Sequence, residues 1–304
     1  MKFLTLLIVG ITACLIGCAD PNSKSGKLKV VSTTGMIGDI VQNIGGTDIE
    51  SISLMGPGVD PHLYKASEGD VKTLYQADII FYNGLHLEAK MGEIFEKMAG
   101  RAVVVPVSRG IPESDLRSPP EFKGFHDPHV WFDVTLWKKA SIEVEKALIE
   151  KDPQNKANYA TRAVEYRKKL DALDGQVRTL IDTVPKDRRV LITAHDAFGY
   201  FGRAYGFEVI GLQGISTQAE AGAKDVQALA NLVVQRKIPA IFVESSIPVR
   251  TIQAVQNAAK AKGWNVKIGG ELFSDAMGSK GTVQGTYVGM VQHNVVTIVN
   301  ALSK

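Results

Sequence analysis

Short apolar runs alternate with helix-like amphipathic segments in both halves of this chain. Buried strands separated by helices are typical of a parallel sheet with helices on both faces. The order therefore predicts an α/β fold of two similar lobes, each a mostly parallel sheet flanked by helices. The predicted strands are 28–32, 49–54, 78–82 and 101–107 in the first half, then 189–193, 240–244 and 266–268 in the second.

A single long helix is predicted between the two lobes. Apolar residues recur at spacings of three and four across 159–180, which is the stripe of one amphipathic helix. We expect this connecting helix over 154–182, between an N-terminal lobe at 28–150 and a C-terminal lobe at 186–304. A coiled-coil dimer is the alternative, but Gly175 interrupts its few heptads.

The N-terminus is typical of a bacterial lipoprotein signal. Lys2 precedes an apolar run over 3–16 that is too short to anchor the chain across a bilayer, and we assign 1–17 to a signal peptide. Gly17 and Cys18 end the segment as a lipobox does, which predicts a lipid on Cys18 and a polar tether over 18–27. The alternative is a plain cleaved signal with an incidental cysteine. We therefore expect an exported protein anchored by lipid to the extracytoplasmic or periplasmic face of a bacterial membrane.

The charge distribution and the cysteine content argue against a nucleic-acid partner and against a disulfide bond. The net charge of +3 comes from 35 basic and 32 acidic residues, with no basic stripe interleaved with aromatics, so nucleic acid is not an expected partner. Of the two cysteines, Cys14 lies in the signal peptide and Cys18 would carry the lipid, so the mature protein is expected to form no disulfide. We expect a monomer that meets the membrane through its lipid.

Four side chains stand out as candidate metal ligands. The tripeptide Asp-Pro-His occurs twice and ends in His62 and His129, each held on a stiff turn by the proline. His195 follows a strand, and Asp275 follows a strand and a Gly-Gly turn, where open α/β sheets bind ligands. Three imidazoles and one carboxylate suit a divalent transition metal. Because these residues are far apart in the sequence, separate polar roles remain the alternative.

Four more residues are candidates for contacts around these ligands. Asp127 and Asp196 each adjoin a candidate histidine and could orient its imidazole N–H. His86 and Glu220 lie in loops that could face the same cleft. Capping of a loop or a surface position is the alternative for each of the four.

Six segments together resemble the zinc- and manganese-binding solute-binding lipoproteins of ABC importers. They are LMGPGVDPHLY, FYNGLHLEAKMGE, DPHVWFDV, TAHDAFGYFGRAYGFEVIGLQGIST, PAIFVESSIP and IGGELFSDAMG. The resemblance covers essentially the whole mature chain. It implies a metal ion in the cleft between the lobes, held by His62, His129, His195 and Asp275, and a membrane permease as partner.

The sequence does not decide which metal is bound, and it leaves two alternative functions. Histidine as third ligand is found in zinc-type members of that family, but the chain lacks the His-rich insertion of many dedicated zinc importers, so zinc, manganese and iron all remain candidates. A surface adhesin or other interaction lipoprotein is one alternative. A zinc hydrolase is another, and it would need an open metal position beside Glu220 or Glu244. Four protein ligands close the site, which favours binding without catalysis.

Overall fold

The computed structural model describes residues 26–120 and 122–303. The predicted signal peptide 1–17, the lipidation residue Cys18 and all but the last two residues of the tether lie outside the described residues. Across the described part of the chain, no helix combines the length and the apolar character needed to cross a membrane.

A four-stranded parallel sheet forms the first half. Its strands are β1 (Leu28–Ser32), β2 (Ile49–Ser53), β3 (Ile79–Tyr82) and β4 (Val103–Pro106). They lie in the order β2-β1-β3-β4. The helices of this half are α1 (Gly35–Gly45), α2 (Glu68–Tyr75) and α3 (Gly92–Met98). Because the strands are parallel, their carboxyl ends share one edge, from which the loop that carries His62 departs.

Two long helices follow the first sheet, whereas the sequence predicted one. Helix α4 spans Val134–Lys151 and α5 spans Lys156–Ile181, with a 3-10 turn at Pro153–Asn155 between them. The two helices pack side by side. Helix α4 escaped prediction because its buried positions include Ser141 and Glu143, which weaken its apolar stripe.

The second half contains four strands in parallel pairs. They are β5 (Val190–His195), β6 (Glu208–Gln213), β7 (Ala240–Glu244) and β8 (Lys267–Leu272). Strand β5 pairs with β6, β7 pairs with β8, and β5 lies beside β7. The helices of this half are α6 (Gly199–Tyr205), α7 (Ala223–Gln235), α8 (Arg250–Ala261) and α9 (Tyr287–Leu302).

The glycine pair of the second half lies inside a strand, and the predicted turn there is wrong. Strand β8 continues through Gly269 and Gly270, where the sequence predicted an end at residue 268. Gly270 has a φ of 141°, which side-chain-bearing residues rarely adopt, and a Cβ at Gly269 would lie 2.7 Å from the Phe242 ring. Both positions therefore need glycine to keep the strand close to its neighbours.

One hydrophobic cluster extends across both halves. It joins buried residues of α1, α4 and α5 with residues of the second half such as Phe242 and Met290. Helix α5 contacts α1 of the first half and α9 of the second, and its buried stripe includes the predicted Tyr159 and Leu173. The connecting helix is thus packed against both halves along its length. The predicted α/β fold with parallel sheets and a long helix is confirmed.

Candidate metal site

Four buried side chains converge where the two halves meet. His62, His129, His195 and Asp275 each offer a ligand atom, and these atoms all lie within 4.8 Å of one another. None of the four residues is more than 2% exposed. The first half supplies two imidazoles, and the second supplies an imidazole and a carboxylate.

The donor atoms are spaced as ligands around one ion would be. The Nε2 atoms of His62 and His129 are 3.3 Å apart. Asp275 Oδ2 lies 3.5 Å from His62 Nε2 and 3.2 Å from His195 Nε2, and its Oδ1 lies 3.5 Å from His129 Nε2. Tetrahedral bonds of about 2.0–2.1 Å give donor separations of about 3.3–3.4 Å. The cluster therefore matches the size of a four-coordinate zinc site.

Three inner atoms of the cluster make no hydrogen bond among the described residues. Both carboxylate oxygens of Asp275 and Nε2 of His195 are buried without a hydrogen-bond partner among the described residues. Carboxylate oxygens buried without hydrogen bonds destabilise the folded protein, because the hydration that they lose is not fully replaced. A cation at the centre would satisfy all of these atoms at once, so the residues present fit a metal ion.

The repeated Asp-Pro-His tripeptide folds the same way twice. The Asp60 carboxylate accepts the backbone N–H of His62 at 2.8 Å, and the Asp127 carboxylate accepts that of His129 at 3.0 Å. Aspartate side chains close such turns readily, and the proline between limits the backbone. The motif thus fixes the direction in which each imidazole leaves the chain.

Two buried carboxylates hold two of the imidazoles from behind. Asp127 Oδ1 lies 2.8 Å from Nδ1 of His129, and Glu244 Oε2 lies 2.6 Å from Nδ1 of His195. Glu244 also accepts the backbone N–H of His195 at 2.9 Å. An imidazole that donates from Nδ1 presents the lone pair of Nε2 towards the centre.

Glu244 was predicted only as a hydrolase candidate, and its contact with His195 was missed. It is the last residue of strand β7, beside β5, which ends at His195. The same strand-end rule that selected His195 could have found it.

Burial and charge shift the pKa values of three of the ligands. Burial lowers the pKa of His62 to about 3. Burial also opposes protonation of His195, but the Glu244 and Asp275 carboxylates outweigh it and raise the pKa of His195 well above its usual value. Burial favours a neutral Asp275, yet the three imidazoles, His195 foremost, bring its pKa below its usual range. Asp275 is therefore ionised, as a metal ligand must be.

The structure places Asp127 against the ligand His129, whereas His86 and Glu220 are exposed. The ring of His86 packs on Phe125, with centroids 4.1 Å apart. Glu220 is exposed in the loop before α7. The backbone N–H of Asp196 donates to the carbonyl of Gln213 at 3.1 Å. None of these three belongs to the group of ligand atoms found among the described residues.

Comparisons with known proteins agree on one family. The family model described as "ZnuA: Zinc-uptake complex component A periplasmic" matches residues 30–301. The chain is 55% identical over 279 residues to the zinc-binding protein TroA of Treponema pallidum, covering 92% of this chain and 90% of that protein. It is 48% identical over 294 residues to the manganese-binding lipoprotein MntA of Bacillus subtilis, covering 96% of each.

A solved structure extends the likeness to three dimensions. The periplasmic zinc-binding protein TroA from Treponema pallidum superposes with a TM-score of 0.90 at 55% identity. The match covers 92% of this chain and 100% of that one. The likeness thus includes both halves and the helix between them.

Proposed function

Since this chain belongs to the ZnuA family of periplasmic metal-uptake proteins, we propose that it is the substrate-binding lipoprotein of an ABC importer. It captures one divalent transition metal, zinc or manganese, and delivers the ion to a membrane permease. The ligands are His62, His129, His195 and Asp275. The ion is cargo, so the site must both hold it and let it go.

The convergence of unpartnered donors carries this proposal. Both oxygens of Asp275 and Nε2 of His195 lie buried without hydrogen bonds among the described residues. Asp275 lies 3.2 Å from Nε2 of His195 and 3.5 Å from Nε2 of His62 and of His129. A protein that used these groups only for stability would leave three buried polar atoms without hydrogen bonds. Binding of a cation supplies the missing partner.

The donor set accommodates zinc or manganese. Three imidazole nitrogens and a carboxylate are a common zinc set, and zinc exceeds manganese in raw affinity for such ligands. Both oxygens of Asp275 approach the imidazoles, so five donor atoms are available, and the additional oxygen suits manganese. The relatives divide the same way, one named for zinc and one for manganese.

Metal bound between the halves gives the permease a state to recognise. We assign the lobes to 28–150 and 186–304, with the connecting helix at 154–182. An ion that takes ligands from both lobes holds them in one arrangement, which distinguishes loaded from empty protein. The protein acts as a monomer held on the extracytoplasmic side of a bacterial membrane by lipid on Cys18, and it needs no nucleic acid.

The site binds and does not catalyse. Metal-dependent hydrolysis requires an open coordination position and a nearby base. Glu244 is engaged with His195 through both of its oxygens, and Glu220 is exposed in a loop. Neither carboxylate is available as the base of a hydrolase.

Stoichiometry tests the proposal. Elemental analysis of mature protein purified from its own cell should find one divalent transition metal per chain. His129→Ala or Asp275→Ala should weaken binding at least about tenfold, since each removes a charged or metal-directed donor. His293→Ala is the matched control, because that imidazole contacts the carbonyl of Glu271. Unchanged metal affinity in both His129→Ala and Asp275→Ala would contradict the assignment of these residues as ligands.

A further inference from the structure

The two histidine loops of the first half are attached to the second half to different degrees. The loop of His129 is held by hydrogen bonds that do not involve the ligands. The Trp131 indole donates to the carbonyl of Ser274 at 3.0 Å, and the Tyr287 hydroxyl donates to the carbonyl of Trp131 at 2.7 Å. The Tyr200 hydroxyl donates to the carbonyl of Asp127 at 2.9 Å. None of these three hydrogen bonds uses a candidate ligand atom.

The loop that carries His62, residues 54–67, has a lighter attachment. Apart from the contact of His62 with Asp275 in the site itself, the side-chain hydrogen bond that joins this loop to the second half among the described residues runs from the Thr217 hydroxyl to Asp60 Oδ2, at 2.6 Å. The other oxygen of Asp60 accepts the backbone N–H of His62. Nearby, a Cβ on Gly58 would lie 3.4 Å from the carbonyl of Ser245, so the backbones are in contact there. Thr217 is 4% exposed, which shields its hydrogen bond from water.

The imidazoles show the same asymmetry as their loops. Buried carboxylates hold Nδ1 of His129 and of His195. Among the described residues, no carboxylate hydrogen-bonds Nδ1 of His62, whose contacts run through Nε2 and its backbone N–H. His62 is therefore the ligand whose position depends most on its own loop.

We propose that the 54–67 loop is the gate of the metal site and that the Thr217–Asp60 hydrogen bond is the latch that holds it closed. This inference rests on the proposed function and names the side from which the ion enters and leaves. Opening removes His62 while His129, His195 and Asp275 stay in place. The Asp60 carboxylate links the latch to His62. One of its oxygens accepts the Thr217 hydroxyl, and the other accepts the backbone N–H of His62. Thr217 and Asp60 are positioning residues because they touch no metal donor atom.

Metal release measures the latch directly. Mature protein loaded with Zn²⁺ is mixed with an excess of strong chelator, and loss of the ion is followed with time. Thr217→Val keeps the shape but removes the hydroxyl, and should release Zn²⁺ about tenfold faster, since hydrogen bonds to charged acceptors are among the stronger ones. Thr217→Ser keeps the hydroxyl and should release the ion at close to the original rate. Thr179→Val, on the exposed face of α5, is the matched control for the same chemical change.

Backbone hydrogen exchange shows which loop moves. Removing Zn²⁺ should speed exchange of the amides of 54–67 while those of 127–133 stay protected. Loaded Thr217→Val should show faster exchange in 54–67 as well. Faster exchange confined to 127–133 would overturn the assignment of the gate.

The outcomes separate the latch from the proposed function. A folded Thr217→Val protein that holds one Zn²⁺ per chain and releases it at the original rate overturns the latch alone. Equally fast release from Thr217→Ser and Thr217→Val also overturns it, since the hydroxyl then has no role. An unmodified protein that binds no divalent ion overturns the proposed function and the latch with it.

Discussion

At the scale of single residues, two of the candidate histidine ligands are each paired with a buried carboxylate. His195 has Glu244 behind it and His129 has Asp127, with Nδ1 contacts of 2.6 and 2.8 Å. The carboxylate orients the ring and makes the opposite nitrogen a better donor. The affinity of the site should therefore depend on groups that never touch the metal.

We expect Glu244→Gln to weaken metal binding by about 10–100-fold, because a neutral amide holds the His195 ring less firmly. Competition with a chelator of known affinity measures the effect. Glu208→Gln is the matched control, since Glu208 pairs with Arg236 at an exposed position. Equal affinities of the Glu244→Gln protein and the unmodified one would contradict a role for Glu244.

A partly buried carboxylate, Asp39, lies away from the ligands. Asp39 of α1 accepts the Tyr166 hydroxyl at 3.1 Å and also hydrogen-bonds the backbone of Tyr287, where α9 begins. Burial outweighs these contacts and raises the pKa of Asp39 to about 6. The carboxyl group thus joins helices of both halves and keeps its proton to a higher pH than an ordinary aspartate does.

This pKa predicts how stability changes with pH. The folded protein retains the Asp39 proton to higher pH than the unfolded chain does, so this stabilisation is present in acid and is lost as pH rises through about 6. A rise from 3.8 to about 6 corresponds to about 3 kcal/mol. Urea unfolding between pH 4 and 7 should show the unmodified protein losing stability relative to Asp39→Asn. A difference that stayed constant with pH would contradict the raised pKa.

At the scale of elements, α5 is the part that the sequence described best. Its buried stripe of Tyr159, Tyr166 and Leu173 packs between α1 and α9. Gly175 does not interrupt the helix, and a Cβ there would meet no atom within 4 Å. The alternative of a coiled-coil dimer has no exposed apolar stripe on α5 to use, because these residues are buried in the core.

We expect Gly175→Ala to raise the free energy of unfolding by about 0.5–1 kcal/mol, because alanine loses less backbone entropy in a helix. Urea denaturation measures the change. Gly289→Ala on α9 is the contrasting control and should destabilise, since its Cβ would lie 1.9 Å from the carbonyl of Val283. A loss of stability in Gly175→Ala would mean that the glycine has a role that open space does not explain.

At the scale of the whole molecule, one hydrophobic cluster and one proposed metal site join the two halves. The main hydrophobic cluster includes residues of α1, α5 and α9, and the candidate ligands come equally from both halves. Because α5 is packed along its length, we expect small movements of loops such as 54–67 in place of a wide swing of the lobes.

Metal loading should raise the melting temperature of the whole molecule. Binding to the folded state alone adds about 4 kcal/mol of stability when free metal is a thousandfold above the dissociation constant. Calorimetry of loaded and chelator-treated protein measures the shift. Asp275→Ala should show little of it, and an equal shift in that variant would place the stabilising ion elsewhere.

The sequence by itself determined the fold class and nominated the four candidate ligands. Strands β1 and β7 have the predicted bounds, because local apolar patterns and flanking breakers specify such elements. The Asp-Pro-His pair and the strand-end positions selected side chains that meet at one point. These features are encoded within a few residues of each position.

Only the tertiary structure decided what lies behind and around those side chains. Glu244 behind His195 and Thr217 against Asp60 join residues 49 and 157 positions apart. Helix α4 and the glycines inside β8 depend in the same way on neighbours that pack against them. Local patterns specify local structure, whereas such contacts exist only once the chain has folded and distant residues have been brought together.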